Sequence, residues 1–271
     1  MTVKPKSLIL GLLLASRHSP LSSRMVIATC ELFGINANSA RVTLARLCSD
    51  GLVDSKNRGV YQLGEKSMTL SNEASRWPDQ EKRLRPWQGD YACVHTAHLT
   101  RSDRTQFGRR ERALRLMGFT PLEAGLHIRP NNIDENINAI ETHLHTLGLE
   151  RRAYVFTAQQ FKKSEEDKIE KYWKPAQLNQ LYQDQTVELI TWLNKHEAFG
   201  LPQAARESYL LGNKAIRDIV FDPLLPAPLI DDQGRAAFFA TVKEFNTVGQ
   251  RIWQEFLSVE SAMPVWAGES F

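Results

Sequence analysis

Asn38, Ser39, Arg41, Val42 and Arg46 share one short stretch, FGINANSARVTLARLCSDGLV at 33–53, and no acidic residue falls between Asn36 and Asp50. Two guanidinium groups, an amide, a hydroxyl and a small apolar side chain are the groups that bind phosphates, hydrogen-bond base edges and touch thymine methyls. Further on, Lys56 and Arg58 flank Asn57 and precede Gly59, a basic turn that can lay two cations beside a phosphate backbone. The chemistry is recognition of a polyanion. The same residues also suit an ordinary surface helix and a hairpin kept soluble by its charges.

The elements that position these residues can be read from local signals. Gly34 stops a first helix that begins at Ser22 or Ser23, because glycine takes the left-handed C-terminal conformation without a Cβ penalty. Asn36 and Asn38 offer side-chain oxygens to a second helix, from about Ala37 to Cys48, which closes at Asp50-Gly51. At about 100° per residue Ala40, Leu44 and Leu47 form its buried stripe. Asn38, Val42, Ala45, Arg46 and Ser49 lie opposite, with Ser39, Arg41 and Thr43 on the flanks. Strands at 52–53 and 60–63 flank the basic turn, and residues 7–16 form an apolar helix that packs beneath the other two. Helix, turn, helix and hairpin over 22–63 is the order of a winged helix-turn-helix. Lys4 and Lys6 before the apolar run 8–14 mimic a secretory leader, but Leu13 breaks the small-x-small pattern before Ala15. Arg17-His18 follow, and the run is too short to span a bilayer.

Charge supports a nucleic-acid partner for this region alone. The 271 residues carry a net charge of +3. Lys and Arg against Asp and Glu number 13 against 7 over 1–85, 9 against 8 over 86–160, and 12 against 16 over 161–271. A basic first third on an almost neutral chain fits a polyanion there. The three cysteines, Cys30, Cys48 and Cys93, lack metal-ligand spacing and read as reduced thiols of a cytoplasmic protein.

The fold class expected is α+β. A winged-helix domain spans 1–70, and a polar, basic linker with Pro78 and Pro86 spans 71–86. Residues 87–160 follow the order β-α-β-β-α-β of a ferredoxin-like domain, with a strand at 91–94, a helix capped by Ser102-Asp103, and a second helix over 133–147. That first helix carries Arg104, Arg109, Arg110, Arg112 and Arg115, which suit either a phosphorylated ligand or a solvated face. His95 and His98 are expected on opposite faces of a strand, and His143 and His145 about 200° apart on a helix, so no metal pair is preorganised. Residues 161–258 read as a helical domain with a rigid surface loop at 221–228. Phe238, Phe239, Phe245, Trp253 and Phe256 serve as core or dimer contacts there, and 259–271 form a poorly ordered tail. No phosphate loop, dinucleotide fingerprint, nucleophile elbow or zinc-protease motif occurs, so neither an enzyme nor a cofactor is indicated.

FGINANSARVTLARLCSDGLVDS, then PWQGDYACV with LMGFTPLEAGLHIRP, then FDPLLPAPLI together resemble the PaaX-type repressors of aromatic-acid catabolism, a GntR-like winged-helix family. The resemblance implies a homodimer bound to a double-stranded operator and released by a small-molecule inducer, an acyl-CoA such as phenylacetyl-CoA or an aromatic acid. It implies control of a catabolic operon and no membrane association. The chain departs from the family at Asn213-Lys214-Ala215, where members often carry His-Glu-Tyr. An activator or autoregulator sensing a free acid is the alternative. From another class, the central domain's similarity to CRISPR-associated ferredoxin-like nucleases offers a magnesium-dependent nuclease using Asp90 or Asp103.

Overall fold

The helices of the N-terminal region begin and end where single residues satisfy their free backbone groups. Ser22 Oγ accepts from Met25 N at the start of α2 (Ser23–Leu32), and Asn36 Oδ1 accepts from Ser39 N at 2.8 Å at the start of α3 (Ala37–Ser49). Gly34 (φ +74°) and Gly51 (φ +69°) follow the last residues of α2 and α3. There the chain turns back, and Ile35 N and Leu52 N close on Cys30 O and Leu47 O at 2.9 Å. The computed structural model describes residues 3–16 and 19–262.

These two helices and α1 (Pro5–Ala15) enclose one core with the strands β1 (Leu21–Ser22), β2 (Val53–Asn57) and β3 (Val60–Leu63). Leu8, Ile9, Val26, Ala40, Leu44 and Leu47 are all 2% exposed or less, and burying each of them except the smaller Ala40 contributes about 1.5–3 kcal/mol. The antiparallel sheet has the order β1-β3-β2. Helix α4 (Glu65–Ser75) follows it. The compact unit they form spans 1–73, 194–212 and 245–271, so it takes in parts of α9 (Leu201–Val220) and α10 (Asp232–Ala262). Tyr209, Trp253 and Leu257 pack against its core, and the Tyr209 ring meets Phe33 edge-on with centroids 5.2 Å apart.

A second unit spans 74–193 and 213–244. Its elements run β4 (Tyr91–His95), α5 (Arg104–Leu116), β5 (Thr120–Glu123), β6 (Leu126–Pro130), α6 (Ile137–Leu147) and β7 (Tyr154–Ala158). The sheet is antiparallel throughout, in the order β5-β6-β4-β7. Ala92, Val94, Leu114, Ile140 and Leu144 build the core beneath α5 and α6. On the other face Tyr91 meets Phe161 edge-on at 5.5 Å, and Trp173 Nε1 donates to Gly118 O at 3.4 Å. Phe161 precedes α7 (Lys163–Ile169), and Trp173 ends the 3-10 turn Glu170–Trp173 before α8 (Pro175–Leu193).

Five details differ from the expectations set by the sequence. Helix α6 starts at Ile137 rather than near 133, because Asn136 Oδ1 caps it by accepting from Ala139 N at 2.9 Å and Ile133 bridges to Leu84. Within 71–86, the stretch read as a linker, Trp77 is buried and Arg83 pairs with Glu135 at 2.7 Å. The loop at 221–228 is largely internal. Asp222 accepts from Tyr182 Oη at 2.6 Å and from Leu224 N at 2.7 Å, while Asn132 and Arg235 donate to the carbonyls of Leu224 and Leu225. A buried loop is tolerated because those backbone groups are satisfied. Finally, His95 and His98 stack, ring centroids 5.6 Å apart, because β4 ends at His95 and the chain turns there. In the segment read as a tail, α10 continues to Ala262, and residues 263–271 lie outside the described residues.

Candidate nucleic-acid interface

Helix α3 has thirteen residues, about 20 Å of axis at 1.5 Å per residue. Ala40, Leu44 and Leu47 are 0%, 2% and 1% exposed and fix its inner face against the core. Asn38, Ser39, Arg41, Val42 and Arg46 are all exposed on the outer side, together with Ala45 and Ser49. Thr43, half-buried, donates to Ser39 O at 2.7 Å, so its hydroxyl is partly occupied within the helix. Val42 is a bare apolar side chain at 43% exposure in the middle of this face, a place where a thymine methyl would be accommodated.

The hairpin carries the other two cations. Val53 pairs with Leu63 and Ser55 with Tyr61, and the register then shifts so that Lys56 is the extra residue before Asn57 pairs with Val60. Lys56 therefore sits at a bulge within β2 rather than in the loop, and Arg58 lies in the turn itself; both are exposed. A bulge re-aims the side chains around it. The turn is anchored, since Ser23 N donates to Gly59 O at 2.7 Å and Ser22 pairs with Val60.

Arg41, Arg46, Lys56 and Arg58 form no ion pair with any carboxylate among the described residues. Four uncompensated cations on one helix face and its adjoining hairpin make an electropositive surface suited to phosphates. The first turn of α3 has no acidic residue to offset its N-terminal dipole, which also favours an anion. Lys66 is occupied differently: its Nζ donates to Asp50 O at 2.8 Å and closes the far end of α3.

The chemical alternatives find little support in the geometry. Asp90 precedes β4 and accepts from Asn131 Nδ2 at 2.6 Å, whereas Asp103 caps α5 by accepting from Thr105 N and Gln106 N at 2.9 and 3.0 Å. Asp103 is engaged as a helix cap and Asp90 through Oδ2, its Oδ1 being buried without a partner, and the two residues fall on opposite sides of β4 along the chain. Burial pushes the Cys30 and Cys93 thiols up to about 11, so both are protonated and weakly nucleophilic at neutral pH. No group of three or more His, Cys, Asp or Glu side chains could hold a metal among the described residues. No described helix is long and apolar enough to cross a membrane.

No curated protein matches the chain. The solved structure of the uncharacterized protein Rv0674 from Mycobacterium tuberculosis is similar with a TM-score of 0.60 at 17% identity, covering 95% of this chain and 99% of that one, which establishes a shared fold. Residues 4–67, from α1 into the start of α4, match the family model described as PaaX-like protein.

Proposed function

We propose that this chain is a ligand-responsive transcription repressor that binds an inverted-repeat operator as a homodimer. On this reading α1–α3 and the β2–β3 hairpin are a winged helix at 1–70, α3 enters a major groove, and the hairpin follows the backbone. The βαββαβ segment at 87–160 is a ferredoxin-like domain, and the helices of 161–258 support sensing and dimerisation. The carrying observation is the pairing of an unopposed Arg41/Arg46 face with Lys56 and Arg58, within the stretch that matches PaaX-like proteins. The inducer is an aromatic acid or its acyl-CoA ester, and the regulated genes form a catabolic operon. Ligand binding favours a dimer geometry in which the two recognition helices no longer match the half-site spacing. By linkage the operator weakens ligand binding by the same factor.

The test is selection of bound duplexes from a random pool, followed by anisotropy titration of the recovered sequence with magnesium present. An inverted repeat bound in a salt-sensitive manner, with the duplex left intact, supports the proposal. Binding without sequence preference, or cleavage lost on Asp90→Ala, defeats it.

A further inference from the structure

Two helices cover only part of the four-stranded sheet. Helix α6 packs on β7, at the opposite edge of the sheet from β5, and α5 packs beside α6. Pro121 and His127 are cross-strand partners on β5 and β6. Between them and the outer flank of α5 lies a cleft of about 410 Å³, a volume near the lower end of the range for small-ligand sites.

The residues around this cleft divide by chemistry. Its inner part includes Leu114 and Phe119, which are 1% and 6% exposed. Arg112 and Arg115, one helical turn apart, line its outer part. Arg115 is braced by the Phe221 ring, its guanidinium carbon 4.3 Å from the centroid, and Arg112 has no carboxylate partner among the described residues. The His127 side chain is 8% exposed, and its Nδ1 has no hydrogen-bond partner. A buried polar nitrogen left without a partner is costly unless a ligand atom or water meets it. Its Nε2 lies 3.7 Å from Glu111 Oε1. Burial foremost, with Arg110 and Arg101 acting in the same direction against Glu111, lowers the His127 pKa, so the neutral imidazole can donate or accept there. Gly108 leaves part of the lining open, with nothing within 4 Å of where a Cβ would stand.

We propose that this cleft binds a small organic carboxylate with an apolar body. The carboxylate takes the Arg112 and Arg115 guanidinium groups, the body lies against Leu114, Phe119 and Pro121, and His127 Nδ1 meets a polar atom of the ligand or a water beside it. A role as the effector site rests on the regulator reading above; carboxylate binding does not.

The experiment uses the full chain and fluorine NMR of three probes: 4-fluorobenzoate, 4-fluorophenyl phosphate and 4-fluorobenzyl alcohol. The benzoate signal broadens and the alcohol signal does not. Arg112→Gln weakens benzoate binding about tenfold or more. Gly108→Leu fills the cleft and abolishes binding while the Tm holds or rises, since leucine is the better helix former. No broadening with benzoate, binding by the phosphate probe alone, or equal benzoate binding to wild type and Gly108→Leu overturns the proposal. Operator titration of the same samples separates the two claims. Benzoate binding that leaves operator affinity unchanged removes the effector role and keeps the site, whereas absence of any operator binding sinks the regulator reading whatever the NMR shows.

Discussion

At the scale of single residues, the exposed cations differ in what they can read. Arg41, on the outer flank of α3, has the bidentate fork that matches a guanine edge, whereas Lys56 is a point charge at the bulge of β2. Arg41→Ala is expected to cost about 1–3 kcal/mol on the preferred operator and to relax its sequence preference. Lys56→Ala should weaken binding to all duplexes alike and lower the salt slope by about one unit. Anisotropy titrations over a salt series on specific and scrambled duplexes check both; if the two substitutions behave identically, this division of roles is wrong. Asp222 offers a test of a different kind. Burial pushes its carboxyl above the ordinary 3.8, against the lowering effect of Tyr182, Leu224 and Arg235. The folded state therefore keeps a proton that the unfolded state has already released. Stability falls as pH rises from the ordinary value toward the folded one. Asp222→Asn should flatten the pH dependence of unfolding in that window, measured by urea melts at successive pH values; an unchanged slope would show that another group carries it.

Among the elements, α3 was the most legible in sequence because its signals are local: Asn36 before it, Gly51 after it, and Ala40, Leu44 and Leu47 on one face. Asn36→Ala is expected to destabilise the N-terminal unit by about 1 kcal/mol, the usual cost of a lost N-cap, seen as a lower urea midpoint. A midpoint unchanged within error would mean that the Ser39 amide is satisfied by other means. Other features were illegible because their causes lie far along the chain. The burial of the 221–228 loop depends on Asn132, Tyr182 and Arg235, each on a different segment. The stacking of His95 on His98 depends on where β4 stops, which strand alternation alone does not reveal. The arginines of α5 looked alike in sequence, yet Arg110 is 1% exposed and bound to Glu150 and Thr100 O, while Arg112 remains open. Burial alone would raise the Glu150 carboxyl, and the hydrogen bonds from Arg110 overcome that and hold it low. The cleft itself brings residues 108–115 of α5 together with His127 and its strand partner Pro121, a relation without a sequence signature.

For the molecule as a whole, the unit proposed to read DNA is not one contiguous piece of chain. The core beneath α3 is completed by Tyr209, Trp253 and Leu257, far downstream of the stretch that resembles PaaX-like proteins. A fragment of 1–73 should therefore unfold at a lower urea midpoint than the same unit in the full chain, by less than the about 1.5–3 kcal/mol of a fully buried side chain for each of these partly buried contacts removed, as followed by circular dichroism. An equal midpoint would show that the downstream segments are dispensable. If they are needed, the proposed DNA-reading unit has no clean seams. Recombination that exchanges 4–67 as a contiguous cassette would join mismatched halves of one core, so changes in operator preference would accumulate by point substitution on the outer face of α3 rather than by shuffling of modules.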